Sequence, residues 1–181
     1  MSFTVVRPAP SEVRLTSQAV AAATGSLFCL NGTMIDDVIT RARSAERRRS
    51  RLLLHRSPDE LLHEMIIALP RDSCDIPHKN FRSGKSFHVL RGRMTVMVFS
   101  DDGTTLTPLY AEAGGGGAAS LVRLNDSYFH TIIPMSDYVV FVETNMGPFT
   151  GNEFAPWSPT DMTTGEGLRF AETLRAVAAA Q

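Results

Sequence analysis

The sequence predicts a mainly β chain, an antiparallel sandwich, barrel or jelly roll with a helical segment at each end. Three observations carry that expectation. Between residues 65 and 144 the apolar side chains fall in short runs rich in β-branched and aromatic residues, bounded by Gly, Asp, Asn and Pro. No amphipathic helix separates these runs, which disfavours a parallel α/β fold. Helical patterning is confined to the two ends.

In order, FTVV (3–6) reads as a short strand, and Thr16 to Thr24 (TSQAVAAAT) as a short helix closed at Gly25. Met34 to Arg48 places Ile35, Val38, Ile39 and Ala42 on one helical stripe, with acids early and arginines late. Strands follow at MIIALP (65–70), SFHVL (86–90), RMTVMVFS (93–100), TLTPLY (105–110), SLVRL (120–124) and YVVFVET (138–144). SDDG (100–103) supplies a hairpin turn. GLRFAETLRAVAAA (167–180) is a helix with Leu168, Ala171, Leu174 and Ala178 on one face. This divides the chain into an N-terminal strand and helical extension (1–60), a barrel (61–160) and a C-terminal helix (161–181).

The 181 residues suffice for one buried core, and a net charge of −1 gives no global attraction to nucleic acid or membrane. No apolar run approaches the roughly 20 residues of a membrane helix. The first thirty residues carry no apolar stretch of the secretory type, so the expectation is a soluble cytoplasmic protein. Cys29 and Cys74 are too few for a disulfide framework. GGGG (114–117) has no Lys-Ser/Thr after it and is not a phosphate loop.

The chemistry-bearing stretch is PHKNFRSGKSFHVLRG (77–92), which also holds both lysines, Lys79 and Lys85. His78 and Asn80 are two apart and share a face on an extended strand. His88 has the opposite parity to Lys85. His55 and His63 flank SPDELL, either as polar residues at element ends or with His55 closing a barrel mouth.

PHKN, KSFHVLRGRMTVMVFSDDG, NDSYFHTIIPM and ETNMGPFTGNEFAPWSP, in that order and spacing, resemble the cupin superfamily. Within it the chain is most similar to the WbuC-type cupin-fold metalloproteins of bacterial surface-polysaccharide genes. RARSAERRRSRLLLH fits the arginine-rich helix end and His before the barrel in that group. The resemblance covers roughly residues 33–160. It implies an antiparallel jelly-roll barrel, a site in the barrel interior, and a homodimer, with the apolar face of the C-terminal helix as a further contact. It sets His78 at the first metal-ligand position, Asn80 at the second, Lys85 at the glutamate and His130 at the last.

Two chemistries follow. In one, His78, Asn80 and His130 hold a divalent metal such as zinc, iron, manganese or nickel, with water in open positions. Protonated Lys85 opposes that ion. In the other, His78 or His130 moves a proton beside a carbonyl, Lys85 stabilises the enolate and Tyr128 returns a proton, as in metal-free sugar isomerases or epimerases. A non-catalytic module binding a sugar or nucleotide sugar uses the same pocket. Glu143 is either a partner for Lys85 or a solvated strand end. Phe149, Phe154 and Trp157 form a segment wrapping the barrel. The arginine cluster 41–51 is a solvated helix face or an anchor for the diphosphate of a nucleotide sugar.

Overall fold

The computed structural model describes residues 12–114 and 116–180, so the strand expected at 3–6 lies outside the described residues. The elements are β1 (Val13–Leu15), β2 (Val20–Ala23), α1 (Gly32–Ser44), β3 (Ser50–Leu53), β4 (Leu62–Pro70), β5 (His78–Asn80) and β6 (Lys85–Arg91). There follow β7 (Arg93–Phe99), β8 (Thr105–Glu112), β9 (Leu121–Leu124), β10 (Phe129–Pro134), β11 (Tyr138–Met146), β12 (Asn152–Phe154) and α2 (Gly165–Ala179). They form two sheets. The larger has the order β1-β2-β3-β4-β11-β6-β9 and the smaller β12-β5-β10-β7-β8. Every named pairing is antiparallel except β2 with β3. This is a jelly roll.

The core between the sheets contains Ile67, Leu69, Phe87, Val89, Val96, Val122, Ile132 and Phe141. A helix covers the outer face of each sheet. Val38, Ile39 and Ala42 of α1 pack on Leu52, Ile66, Ala68 and Val140 of the larger sheet. Leu174 and Ala178 of α2 pack on Met97, Phe99, Phe129 and Ile133 of the smaller one. Strands covered on both faces have no wet side. This is why β7 and β10 read as continuous apolar runs rather than alternations.

The expected helix over 16–24 is instead strand β2. A nine-residue helix is marginal alone. Here Ala21 and Ala23 are buried, and the backbone pairs with β1 on one side and β3 on the other. The amphipathic helix is present but shorter. It is capped by Asn31, whose side chain accepts from the Met34 N–H at 3.0 Å, and it ends at Ser44. Arg49 and Arg51, read with the helix end, lie at and in β3. On α2 the buried face is Gly167, Ala171, Leu174 and Ala178, and Leu168 is exposed. The position before Ala171 on that face belongs to Gly167, where a Cβ would lie 2.3 Å from the Asp161 carbonyl oxygen.

Two glycines shape the hairpins. Gly92 joins β6 to β7 at φ 80°, where a Cβ would lie 2.2 Å from the Tyr138 carbonyl oxygen. Gly103 closes the SDDG turn at φ 89°, beneath the ring of Trp157, whose Nε1 donates to the Asp101 carbonyl at 3.1 Å. That contact, with the tilted packing of Trp157 against Phe99, ties the 152–158 segment over the barrel. No helix among the described residues is long and apolar enough to cross a membrane.

Candidate functional site

Strand parity builds a cavity of about 250 Å³ between the sheets. Around β3, Arg49, Arg51, Leu53 and His55 turn inward, while Ser50 and Leu52 turn to α1. β4 adds His63, Met65 and Ile67, β6 adds Lys85 and Phe87, and β11 adds Phe141, Glu143 and Asn145. On the smaller sheet β5 supplies His78 and Asn80, and β10 supplies His130. Residues two apart share a face, so each strand delivers its pair.

His78 and His130 are direct cross-strand partners with ring centroids 4.9 Å apart. The Nδ1 of His78 lies 2.9 Å from the Ile76 carbonyl oxygen, and that of His130 lies 2.9 Å from the Tyr128 oxygen. A carbonyl only accepts, so each Nδ1 carries the proton and each Nε2 keeps its lone pair. Burial, and then the charge of Lys85, pushes both imidazoles below their ordinary value, His130 well below it. Both rings are neutral near pH 7.

Beside them Lys85 Nζ stands 3.4 Å from Glu143 Oε1, with both side chains largely buried. Burial alone would raise the Glu143 carboxyl. The Lys85 charge and a 2.7 Å bond from Asn145 Nδ2 outweigh it and hold the carboxyl at about 2. Glu143 is therefore the partner of Lys85, the first of its two expected roles. Around the same cavity Asn80 Oδ1, Asn145 Oδ1 and Arg51 Nε are buried without a hydrogen-bond partner.

Of the residues singled out in the sequence, His78, Asn80, Lys85 and His130 come together here. Tyr128 does not. It precedes β10, is 37% exposed, and offers the cavity only the carbonyl that fixes His130. The strand begins one residue too late for the parity that would have turned its ring inward. His88 is exposed on the outer face, as its parity requires. His55 and His63 stack at the cavity with centroids 4.1 Å apart and planes 10° apart. Arg51 and Asn145 were not singled out. The signal for Arg51 is the alternation Arg49, Arg51, Leu53, His55.

A divalent ion is what the cupin resemblance implies, so the donor set can be tested for one. Among the described residues no three His, Cys, Asp or Glu side chains are grouped to hold a metal. The donors beside Lys85 are the two neutral nitrogens of His78 and His130 and the amide oxygen of Asn80, while His55, His63, Asn145 and the Arg49-paired Asp75 also line the cavity. Glu143, the carboxylate in this wall nearest to Lys85, is engaged by that ammonium and by Asn145. Zinc and iron do accept imidazole nitrogens with water in open positions, so donor type alone does not decide; a like charge beside the site opposes the ion. With the Lys85 ammonium beside these donors and Glu143 already engaged by it, the charge balance does not fit a tightly held divalent ion.

Residues 30–109 match the family model described as a domain of unknown function, DUF6016. The match includes His78, Asn80 and Lys85 and stops before His130. No curated protein matches the sequence. Among solved structures, an oxalate oxidase in complex with the substrate analogue glycolate is 14% identical at a TM-score of 0.49, over 76% of this chain and 75% of that one. A CapF structure with the inhibitor 3-isopropenyl-tropolone is 16% identical at 0.49, over 61% and 32%. A Bacillus subtilis oxalate decarboxylase, studied for its Mn(II) centers, is 14% identical at 0.44, over 52% of this chain. The chain spans only 24% of that decarboxylase. A Schizosaccharomyces pombe Cnp3 cupin domain is 15% identical at 0.42, over 55% and 61%. Likeness at this level says nothing about chemistry. By its own sheet order and interior cavity, the chain is a mainly β protein with the cupin-type jelly roll.

Proposed function

We propose that the cavity binds a small polyhydroxylated molecule of the sugar class, as in bacterial surface-polysaccharide metabolism, without a resident metal. The observation that carries this is the mixed set of unmet hydrogen-bonding atoms. Asn80 Oδ1 and Asn145 Oδ1 need donors and Arg51 Nε needs an acceptor, and the Nε2 lone pairs of His78 and His130 are able to accept. A hydroxyl supplies both in one group. Each buried polar atom left unpaired costs about 1–3 kcal/mol, which a ligand of that kind offsets.

A second reading has its own support. Two neutral imidazoles next to a buried ammonium are suited to taking a proton from carbon beside a carbonyl while the cation stabilises the enolate oxygen. His78 or His130 is then the base and Lys85 the electrostatic partner, and the protein is an isomerase or epimerase. A homodimer accords with the cupin resemblance. It needs another surface than the apolar face of α2, which is used within the protomer.

Elemental analysis of tag-free protein, beside a His78→Ala/His130→Ala variant, tests the metal-free reading. No stoichiometric zinc, iron, manganese or nickel is expected. Metal near one per chain that vanishes in the variant overturns it. Screening monosaccharides and their phosphates for binding, and for hydrogen exchange from deuterated water, separates binding from turnover. Binding with exchange selects the isomerase, and binding without exchange the ligand-binding module.

A further inference from the structure

We infer that the arginine-lined groove next to the barrel cavity is an anion subsite. It takes the phosphate or diphosphate of a ligand whose hydroxylated part occupies the cavity. The inference rests on the reading of the cavity given above. A groove of about 290 Å³ lies between the residues leading into β2, from Ser17 to Val20, and the connection from α1 to β3. Arg47, Arg49 and Arg51 line it against one acid, Glu46. Arg49 and Arg51 also line the barrel cavity, so the two spaces share a wall of guanidinium groups.

The arginine cluster divides into engaged and available members. Arg41 pairs with Asp37, Arg48 with Asp72, and Arg49 with Asp75 at 2.5 Å. Arg47 and Arg51 have no carboxylate within ion-pair distance among the described residues. The Nε of Arg51 is buried and lacks any acceptor. Burial, and then the like charge of Arg49, act against the Arg51 cation, and the more distant Glu143 and Asp75 carboxylates offset them only in part. The planar fork of a guanidinium matches phosphate oxygens in bidentate fashion. A free inorganic phosphate and a phosphate ester present the same oxygens. Only the ester also reaches across the shared wall into the cavity.

The test is calorimetry on the full chain with inorganic pyrophosphate, repeated for Arg47→Gln, Arg51→Gln and the control Arg48→Gln. Pyrophosphate is expected to bind, at least tenfold more weakly to Arg47→Gln and Arg51→Gln, and unchanged to Arg48→Gln, whose side chain is held by Asp72 outside the groove. Absence of binding, or equal binding by all four proteins, overturns the subsite. Glucose and glucose 1-phosphate are compared in parallel, with the imidazole proton resonances of His78 and His130 as reporters of the cavity. A preference for the phosphate that Arg47→Gln abolishes supports the joined site. Equal binding of sugar and sugar phosphate overturns the subsite and leaves the cavity reading intact. Pyrophosphate binding with no response of the imidazoles to either sugar keeps the subsite and removes the cavity reading.

Discussion

At the scale of single residues the Lys85–Glu143 pair sets the terms of any mutagenesis. Its members are screened from water, and removing one partner strands the other charge. Lys85→Met is expected to destabilise the protein by about 3–5 kcal/mol in urea denaturation. Lys85→Met/Glu143→Gln, which leaves no unpaired charge, should recover most of that loss. If the two variants are equally destabilised, the pair is not what holds Glu143. The double variant is also the proper one in which to separate ligand affinity from turnover. The histidines give a pH signature. Their folded pKa values lie below the unfolded value of about 6.5, so as pH falls through that value the unfolded chain takes up protons that the native rings refuse. Their contribution to stability is complete above about pH 6.5 and is lost as pH falls toward the folded values. The urea midpoint should drop between about pH 7.5 and about pH 5.5, and drop less in His78→Gln/His130→Gln. An equal drop in both proteins would falsify the assignment.

At the scale of elements, alternation along strands decides which residues can meet. His78 with Asn80 was legible from spacing two, and His88 was correctly set on the other face. The same rule failed at Tyr128, because it presumes a strand that has not yet begun there. It went unused at Arg49 and Arg51, because the arginine run continues a helical pattern and β3 is only four residues long. The alanine-rich β2 was misread for a related reason. Helix propensity is worth only a few tenths of a kcal/mol per residue, and an open sheet edge with a helix above it offers more. The β6–β7 turn is a place where one substitution should break an element. Gly92→Ala combines positive φ with a collision against the Tyr138 carbonyl, and the expected cost is about 1–3 kcal/mol by thermal or urea denaturation. An unchanged midpoint would mean that the hairpin relaxes freely.

For the whole molecule, stability comes from three layers of packing rather than one. The core between the sheets is flanked by α1 on the larger sheet and α2 on the smaller. Leu174 lies deep in the contact of α2 with β7 and β10. Leu174→Ala should therefore cost about 2–5 kcal/mol, as for other buried leucines. Leu168→Ala, on the exposed side of the same helix, should change stability by less than about 0.5 kcal/mol. Comparable losses in the two would show that α2 docks by a different face. The cavity lies between the two sheets, enclosed by strands from both. Its ligand chemistry is thus bounded by atoms from seven strands and connections that no local window of sequence contains.

By itself the sequence determined the mainly β class, the amphipathic α1, the C-terminal helix and the inward parity of His78 and Asn80. Each follows from periodicities of two or 3.6 residues that act over a few neighbours. The tertiary structure alone decided that Glu143 meets Lys85, that Asn145 braces it, and that Arg51 turns from the helix end into the barrel. It also decided that β2 is a strand, and that among the described residues Arg48 and Arg49 have carboxylate partners within ion-pair distance while Arg47 and Arg51 do not. These depend on register between strands separated in the chain, such as Glu143 with Phe87, 56 residues apart, and Arg51 with Ile67, 16 residues apart. Register is fixed by the burial of whole faces at once, and no single segment encodes it.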